Sequence, residues 1–173
     1  HDGSLWVTSS LGLYVYDLAK GTYSRYLMDN GDRYSLSDSY TTCMMHSDGG
    51  KSIWVGTFGG GINVYGAVFG HFKKYYRLAD GSGLEGSNVR CFAEDYKGQL
   101  WLGTENSGLL FISEGNLYKY EQARPLGAVK ALLSDGEILW IGTNNGLWLL
   151  DLKQGELSQP AVSSADNPLH NRR

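Results

Sequence analysis

The stretch Leu139-Trp140-Ile141-Gly142-Thr143 decides the fold, because the sequence contains four closely related copies of it. Each copy has an apolar residue, a Trp, a second apolar residue and then two small residues. The other copies are Leu5-Trp6-Val7-Thr8-Ser9, Ile53-Trp54-Val55-Gly56-Thr57 and Leu100-Trp101-Leu102-Gly103-Thr104. The four tryptophans are 48, 47 and 39 residues apart along the chain. Self-similarity at a period of this length indicates a fold built from repeated units.

Every copy has the same neighbours along the chain. An acidic turn precedes it, and a glycine six or seven residues after the Trp opens a second apolar run. A shorter, more polar run comes next, and another run leads into the following acidic turn. Asp and Gly tolerate the positive φ of tight hairpins, so these turns join antiparallel strands. One unit therefore has four strands, which we name A to D, with the repeated Trp in strand B. The other predicted strands are 40–45, 88–93 and 128–133 (A), 12–16, 61–65, 108–112 and 146–150 (C), and 23–26, 72–75, 117–120 and 156–159 (D).

A unit of four antiparallel strands in about 40 to 50 residues is the blade of a β-propeller. The sequence therefore predicts an all-β fold, a β-propeller segment of about four four-stranded antiparallel blades. Because the chain opens in an A-to-B turn, we expect the first blade to lack strand A. We interpret the segment as a fragment of a larger, seven-bladed type of array; a four-bladed ring closed by the C-terminal tail is the alternative. The predicted repeats are approximately 1–35, 36–83, 84–125 and 126–160, with 161–173 as the lead-in to a next blade.

Composition narrows the possible functions. The 173 residues include 24 Gly and 12 Tyr but only 3 Pro, as short strands joined by glycine turns require. The formal net charge of −3 provides no basic surface for a nucleic acid, so we expect no such partner. No apolar run reaches the roughly 18 residues of a membrane helix, so we expect membrane attachment only through other parts of a longer protein. Cys43 and Cys91 have nearly equivalent places in two repeats, and we expect free, buried thiols.

Catalytic and metal-binding residues are not expected. The histidines His1, His46, His71 and His170 occupy non-equivalent places in the repeats, whereas a metal site needs convergent ligands. The acidic turns resemble the Asp-box hairpins of sialidases, so we expect Asp2, Asp48, Asp95 and Asp135 to form turns and stabilise the fold. Neither cysteine has a histidine beside it at an equivalent strand position. The sequence thus predicts no catalytic residue, no metal and no cofactor.

A ligand is instead expected at the loops. In a propeller the B-to-C and D-to-A loops lie at one end of the blades, and here they carry amides, a carboxylate, an arginine and aromatic rings. Such groups match the hydroxyls and the apolar ring face of a sugar. The glycine run Gly59-Gly60-Gly61 precedes a strand rather than a helix, so it predicts a B-to-C connection and not a phosphate loop. The candidate ligand-binding residues are Arg33, Tyr34, Phe58, Glu105, Asn106, Asn144 and Asn145.

The repeated phrase resembles the two-component regulator propeller repeat. The resemblance is strongest at Gly98-Gln99-Leu100-Trp101-Leu102-Gly103-Thr104, at 139–147 and at 12–17. It departs from the family pattern at Thr8-Ser9, where Gly-Thr is usual, and at Gly66 and Ser113, where Asp is usual. Four copies in register make the resemblance specific, and it covers nearly the whole chain.

The resemblance implies the periplasmic sensor region of a hybrid two-component histidine kinase. Such a protein would detect oligosaccharides and control glycan-utilisation genes, and at full length it would be a histidine kinase and form a homodimer. This segment would be non-catalytic, with an oligosaccharide as its possible ligand. Two alternatives stay open. One is a lyase of the virginiamycin B type, whose propeller repeats are shorter and more uniform, and the other is a propeller that serves only as a protein-interaction scaffold.

Overall fold

A computed structural model describes residues 3–47, 51–66, 70–84 and 86–160. The residues of this part form four antiparallel sheets, which we call blades 1 to 4 in chain order. Blade 1 contains β1 (Ser4–Ser9), β2 (Gly12–Asp17) and β3 (Thr22–Tyr26). Blade 2 contains β4 (Thr41–Ser47), β5 (Ser52–Thr57), β6 (Ile62–Gly66) and β7 (Phe72–Tyr75). Blade 3 contains β8 (Val89–Glu94), β9 (Leu100–Thr104), β10 (Leu109–Ser113) and β11 (Asn116–Lys119). Blade 4 contains β12 (Val129–Asp135), β13 (Ile138–Thr143), β14 (Gly146–Asp151) and β15 (Leu157–Ser158).

Each blade is a meander in which consecutive strands pair with one another. Blades 2, 3 and 4 have four strands each in the order A, B, C and D, and blade 1 has the three strands B, C and D. The all-β propeller prediction is therefore confirmed. One element was not predicted, a 3₁₀ helix at Glu121–Leu126 that connects blade 3 to blade 4. Within the described residues, no helix has the length and apolar character needed to cross a membrane.

The hydrophobic core lies between blades rather than within one. Trp6 packs among residues of blades 1 and 2, with its ring centroid 5.3 Å from that of Tyr65. Trp54 lies in the cluster between blades 2 and 3, and Trp101 in the cluster between blades 3 and 4. In blades 1 to 3 the repeated Trp of strand B thus fills the gap to the following blade.

The glycine two residues after the repeated Trp lies where neighbouring blades approach closely. A Cβ built on Gly56 of strand B would lie 2.7 Å from Cys43 Sγ and 2.8 Å from Val89 Cγ1 of the next blade. Gly103 faces Cys91 and Val129 in the same way. Gly142 in blade 4 has more room, because a Cβ there would meet only Ala131, at 3.4 Å. The glycine of the Trp-x-Gly-Thr phrase therefore permits packing of one blade on the next.

We predict that Gly56→Ala destabilises the fold by about 1 to 3 kcal/mol, since the new methyl group overpacks the contact between blades 2 and 3. The matched control is Gly142→Ala, which places the same methyl group at the equivalent position without a close contact. Urea unfolding of both variants measures the difference in free energy of unfolding. Equal effects of the two substitutions would contradict the packing role of Gly56.

Candidate functional site

The B-to-C loops lie at one end of the blades, which we call the upper end. In all four blades the last strand-B hydroxyl closes this loop by donating a hydrogen bond to the carbonyl of the glycine that opens strand C. The pairs are Ser9 to Gly12 at 2.9 Å, Thr57 to Gly61 at 2.7 Å, Thr104 to Gly108 at 2.9 Å and Thr143 to Gly146 at 2.9 Å. The same hydroxyl accepts an amide from within the loop, such as that of Ser107 at 3.0 Å.

The glycine that follows the loop is required by its backbone. All four glycines of the pairs just given have a positive φ, between 73° and 126°. This region is open to glycine at no steric cost, whereas a side chain there is strained. At Gly61 a Cβ would also lie 2.5 Å from the carbonyl oxygen of Tyr75. The hydroxyl residue that ends strand B and the glycine that opens strand C therefore fix the two ends of the loop. The residues between them differ from blade to blade.

In blades 2 to 4 a second contact ties the loop to the residue just before strand A of the same blade. The amide of Phe58 donates to the carbonyl of Tyr40, and that of Glu105 donates to the carbonyl of Asn88, both at 2.9 Å. In blade 4 the amide of Asn144 donates to the carbonyl of Ala128 at 3.3 Å. The first loop residue of each of these blades is therefore held in the same place. The side chains of Phe58, Glu105 and Asn144 occupy equivalent positions on the upper end.

Phe58 forms an aromatic pair at the upper end of blade 2. Its ring stacks on Tyr40, with centroids 5.0 Å apart and an angle of 13° between the planes. The side chain is nevertheless 52% exposed. Behind it, Gly60 packs so closely on Ser37 that a Cβ would lie 2.6 Å from that carbonyl oxygen. The glycine run thus allows two loops to meet and presents an aromatic surface to solvent.

Glu105 is the centre of an ion bridge between blades 3 and 4. Its carboxylate accepts hydrogen bonds from Arg90 at 2.8 Å and from Lys130 at 2.6 Å. Arg90 and Lys130 are equivalent residues, each at the point in strand A where the pairing register shifts by one residue. Such bulges redirect a side chain out of the regular ladder. Hydrogen bonds from Lys130 and then Arg90 lower the pKa of Glu105 below its ordinary value.

The remaining loop residues at the upper end differ in their partners. Asn106 Nδ2 donates to the carbonyl of Gly86 at 2.9 Å, so its side chain holds the preceding D-to-A loop. The side-chain amides of Asn144 and Asn145 are exposed and make no hydrogen bond within the described ranges. Of the candidate ligand residues here, Phe58, Asn144 and Asn145 are therefore available to a ligand, whereas Glu105 and Asn106 already bind other parts of the protein.

Arg33 and Tyr34 do not join this group. Their D-to-A loop runs down the rim of blade 2, where the carbonyl of Tyr34 accepts the amide of Phe72, the first residue of β7, at 3.3 Å. The Tyr34 ring lies 4.3 Å from that of His71. Arg33 and Tyr34 line a cavity of about 850 Å³, which Lys73 and Lys74 also line. The sequence did not indicate this cavity, because strand D is recognised there only as a short, polar run.

The structure describes two aspartates of the acidic turns, Asp95 and Asp135, and each lies directly before a turn. Asp95 Oδ1 accepts the amides of Lys97 and Gln99, and its Oδ2 accepts the indole N–H of Trp101 at 2.9 Å. Asp135 ends β12 and is exposed. Asp2 and Asp48 lie outside the described residues, as do His1 and His170.

The two cysteines are free and half-buried, and they pair with Gly56 and Gly103 at equivalent register positions. Burial raises the pKa of Cys43 to about 11 and that of Cys91 to about 12. Both thiols are therefore protonated at neutral pH, and a protonated thiol is a poor nucleophile. Among the residues that the structure describes, no three His, Cys, Asp or Glu side chains come together in a way that could hold a metal ion.

We predict that Thr104→Val destabilises the fold by about 2 kcal/mol, because it removes two hydrogen bonds from a buried loop closure. Thr104→Ser is the matched control, since it keeps the hydroxyl and reproduces the residue found in blade 1. Chemical unfolding of both variants gives the comparison. A valine variant no less stable than the serine variant would contradict the contribution of the hydroxyl hydrogen bonds.

The ion bridge predicts a pH dependence of stability. A carboxylate with a lowered pKa in the folded state stabilises the fold above its unfolded pKa, and this contribution is lost as the pH falls through the folded value. For Glu105 the loss begins below its ordinary pKa of 4.5. We expect the stability difference between the unmodified protein and Glu105→Gln to shrink as urea unfolding is repeated from pH 7 down to pH 3. Glu156→Gln, which removes an exposed carboxylate without a cationic partner in the described part of the chain, is the control. A difference for Glu105→Gln that stays constant over this range would contradict the contribution of the ion bridge.

Comparison with known proteins supports the repeat and the fold. Residues 83–106, which include β8 and β9, match the family model described as Two component regulator propeller. No curated protein matches the chain significantly. Among solved structures, two of the extracellular domain of BT4673 from B. thetaiotaomicron are similar. One of them is described as belonging to a hybrid two component system and has 24% identity and a TM-score of 0.73, with 95% of this chain and 21% of that chain covered. The other is described as belonging to a one component system and has 23% identity and a TM-score of 0.70, with 95% and 22% covered.

The extracellular domain of BT3049 from the same organism, also described as a hybrid two component system, is a more distant match. It has 20% identity and a TM-score of 0.52, with 96% of this chain and 28% of that chain covered. The chain thus spans 21% to 28% of the length of these structures, and at such identities the likeness concerns the fold. The blades show that this chain is a β-propeller segment, and its residues 83–106 match the two component regulator propeller repeat.

Proposed function

We propose that the chain is a non-catalytic part of the sensor domain of a hybrid two-component system and contributes to oligosaccharide sensing. The observation that carries this proposal is the repeat match at residues 83–106 on a fold similar to extracellular domains described as parts of hybrid two component systems. The proposal includes a periplasmic location. For the full-length protein it includes histidine kinase activity, a homodimer and control of glycan-utilisation genes.

The chemistry of the upper end supports a binding role rather than a catalytic one. The exposed groups there are an aromatic stack, Tyr40 with Phe58, and the two amides of Asn144 and Asn145. Aromatic rings pack on the apolar face of a sugar, and amides both donate to and accept from its hydroxyls. The two thiols stay protonated at neutral pH.

Two kinds of loop residue have different roles in this proposal. Phe58, Asn144 and Asn145 contact the ligand, because their side chains are exposed and held on closed loops. Glu105 and Asn106 instead fix the relative position of neighbouring loops through Arg90, Lys130 and the carbonyl of Gly86. A ligand that bound across blades 2 to 4 would find its contacts already positioned, which lowers the ordering cost of binding.

Calorimetric titration of the intact extracytoplasmic region with a panel of neutral and acidic oligosaccharides tests the proposal. We expect at least one member to bind. Replacing Phe58 and Asn144 together by Ala should then weaken binding about tenfold or more, because a stacking contact and a hydrogen bond are both lost.

The control removes the same residue types from the lower end of blade 3. Tyr96 is exposed in the A-to-B turn and Asn116 is the exposed first residue of β11, so Tyr96→Ala with Asn116→Ala should leave the affinity unchanged. Binding that both double variants retain in full would exclude the upper end as the ligand site. If no oligosaccharide of the panel bound the intact region, the sensing proposal itself would be wrong.

A further inference from the structure

A cavity at the rim of blade 2 lies apart from the upper-end loops. It has a volume of about 850 Å³ and opens beside β7. Three of its lining residues have cationic side chains, namely Arg33, Lys73 and Lys74, and His71 lies among them. None of the described lining residues is an Asp or a Glu. This concentration of positive charge is notable in a chain whose net charge is −3.

The three cations are not neutralised by the protein in the described ranges. The ion pairs found there involve other cations, and Arg33, Lys73 and Lys74 contact neutral groups instead. Arg33 lies over the Tyr34 ring at 5.1 Å, Lys73 over the Tyr75 ring at 4.7 Å, and Lys74 Nζ donates to Ser35 Oγ at 3.3 Å. Their charges therefore remain available to an anion.

The aromatic residues of the cavity add a second binding property. Tyr34 is 45% exposed and Tyr76 is 49% exposed, so both present ring surface to the cavity and to solvent. Exposed rings next to cations match a ligand with apolar ring faces as well as negative charge. A sugar ring that carries a carboxylate or a sulfate has both.

The arrangement of the cations fits an elongated ligand. Lys73 and Lys74 are consecutive residues of β7, so their side chains leave opposite faces of the sheet. Lys74 reaches the loop that contains Arg33, whereas Lys73 lies over Tyr75 on the side of blade 3. A single small anion cannot be shared by positive charges that are spread across the strand in this way. An oligosaccharide with anionic groups on more than one sugar can bind them together.

We propose that this rim cavity binds an acidic oligosaccharide, with Arg33, Lys73 and Lys74 binding its carboxylates or sulfates and Tyr34 packing on a sugar ring. This inference rests on the proposed oligosaccharide sensing and adds a second site, at the rim of blade 2, whose ligand is acidic. Arginine and lysine bind such groups through charge-assisted hydrogen bonds, which are shorter and stronger than neutral ones.

The test uses the intact extracytoplasmic region and titrates it with tetragalacturonate, with a chondroitin sulfate tetrasaccharide, and with fully methyl-esterified tetragalacturonate as the uncharged match. We expect at least one acidic probe to bind. If tetragalacturonate is the one that binds, its methyl ester should bind at least about tenfold more weakly. Replacing Arg33, Lys73 and Lys74 together by Gln should lower the affinity for the acidic probe about tenfold, and added salt should reduce that effect.

The matched control removes the same amount of charge elsewhere. Lys20, Lys97 and Lys153 are cations outside the cavity, and replacing all three by Gln should change the affinity less than about twofold. Circular dichroism and thermal melting verify that each triple variant is folded. Should the cavity variant unfold, Arg33→Gln and Tyr34→Ala alone provide the measurement, because both residues lie in a loop and not in a strand.

The outcomes separate this inference from the broader function. Equal loss of affinity in the two triple variants would remove the cavity as the site. The inference would also be wrong if the methyl ester bound as tightly as tetragalacturonate, or if only neutral members of the wider panel bound. Either result would show a neutral ligand and leave the proposed oligosaccharide sensing intact. Failure of every oligosaccharide, acidic or neutral, to bind the intact region would overturn both.

Discussion

The whole architecture depends on how closely one blade can approach the next. A four-stranded sheet has two faces, and in a propeller both must be covered by neighbouring sheets. Here the approach is set where strand B of one blade meets strand A of the following blade, at Gly56 with Val89 and at Gly103 with Val129. The Trp two residues earlier then fills the wider gap beside this contact. Strand B thus needs a large Trp and, two residues later, a Gly, which explains why the same phrase recurs.

Coverage by a neighbour also explains the burial of strand B. The first apolar residue of the phrase is 0% exposed at Leu139, 5% at Leu100 and 7% at Ile53, but 51% at Leu5. The side chains are alike, so the difference comes from their surroundings: a described blade covers that face of blades 2, 3 and 4, and none covers that face of blade 1. Burial in this fold is therefore a property of pairs of blades and not of single sheets.

Much of the fold could be predicted because each repeat reports on the others. The four strands of a blade, the described turns between them and, within the described residues, the three strands of the first blade followed from aligning the copies of the Trp phrase. The 3₁₀ helix Glu121–Leu126 could not be predicted this way. It lies in the connection from strand D of blade 3 to strand A of blade 4, and the sequence of this connection has no counterpart in the other repeats.

The candidate site was less predictable than the fold, because most of its contacts are particular to one blade and are not repeated in the others. The positions of Phe58, Glu105 and Asn144 at one end follow from the repeat. The pairing of Glu105 with Arg90 and Lys130 depends on strand bulges, which leave no pattern in the sequence. The path of the loop that takes Arg33 and Tyr34 down the rim to His71 depends on packing particular to blade 2.

The closure of the B-to-C loops has a consequence for how such a protein can change. A hydroxyl and a glycine hold both ends of each loop in all four blades, while the loop between them has three residues in blade 2 and two in blade 4. Neither end contact involves the side chains in between. Loops can therefore be lengthened, shortened or exchanged between blades without disturbing the packed interior, and one scaffold can acquire new specificities by recombining short segments.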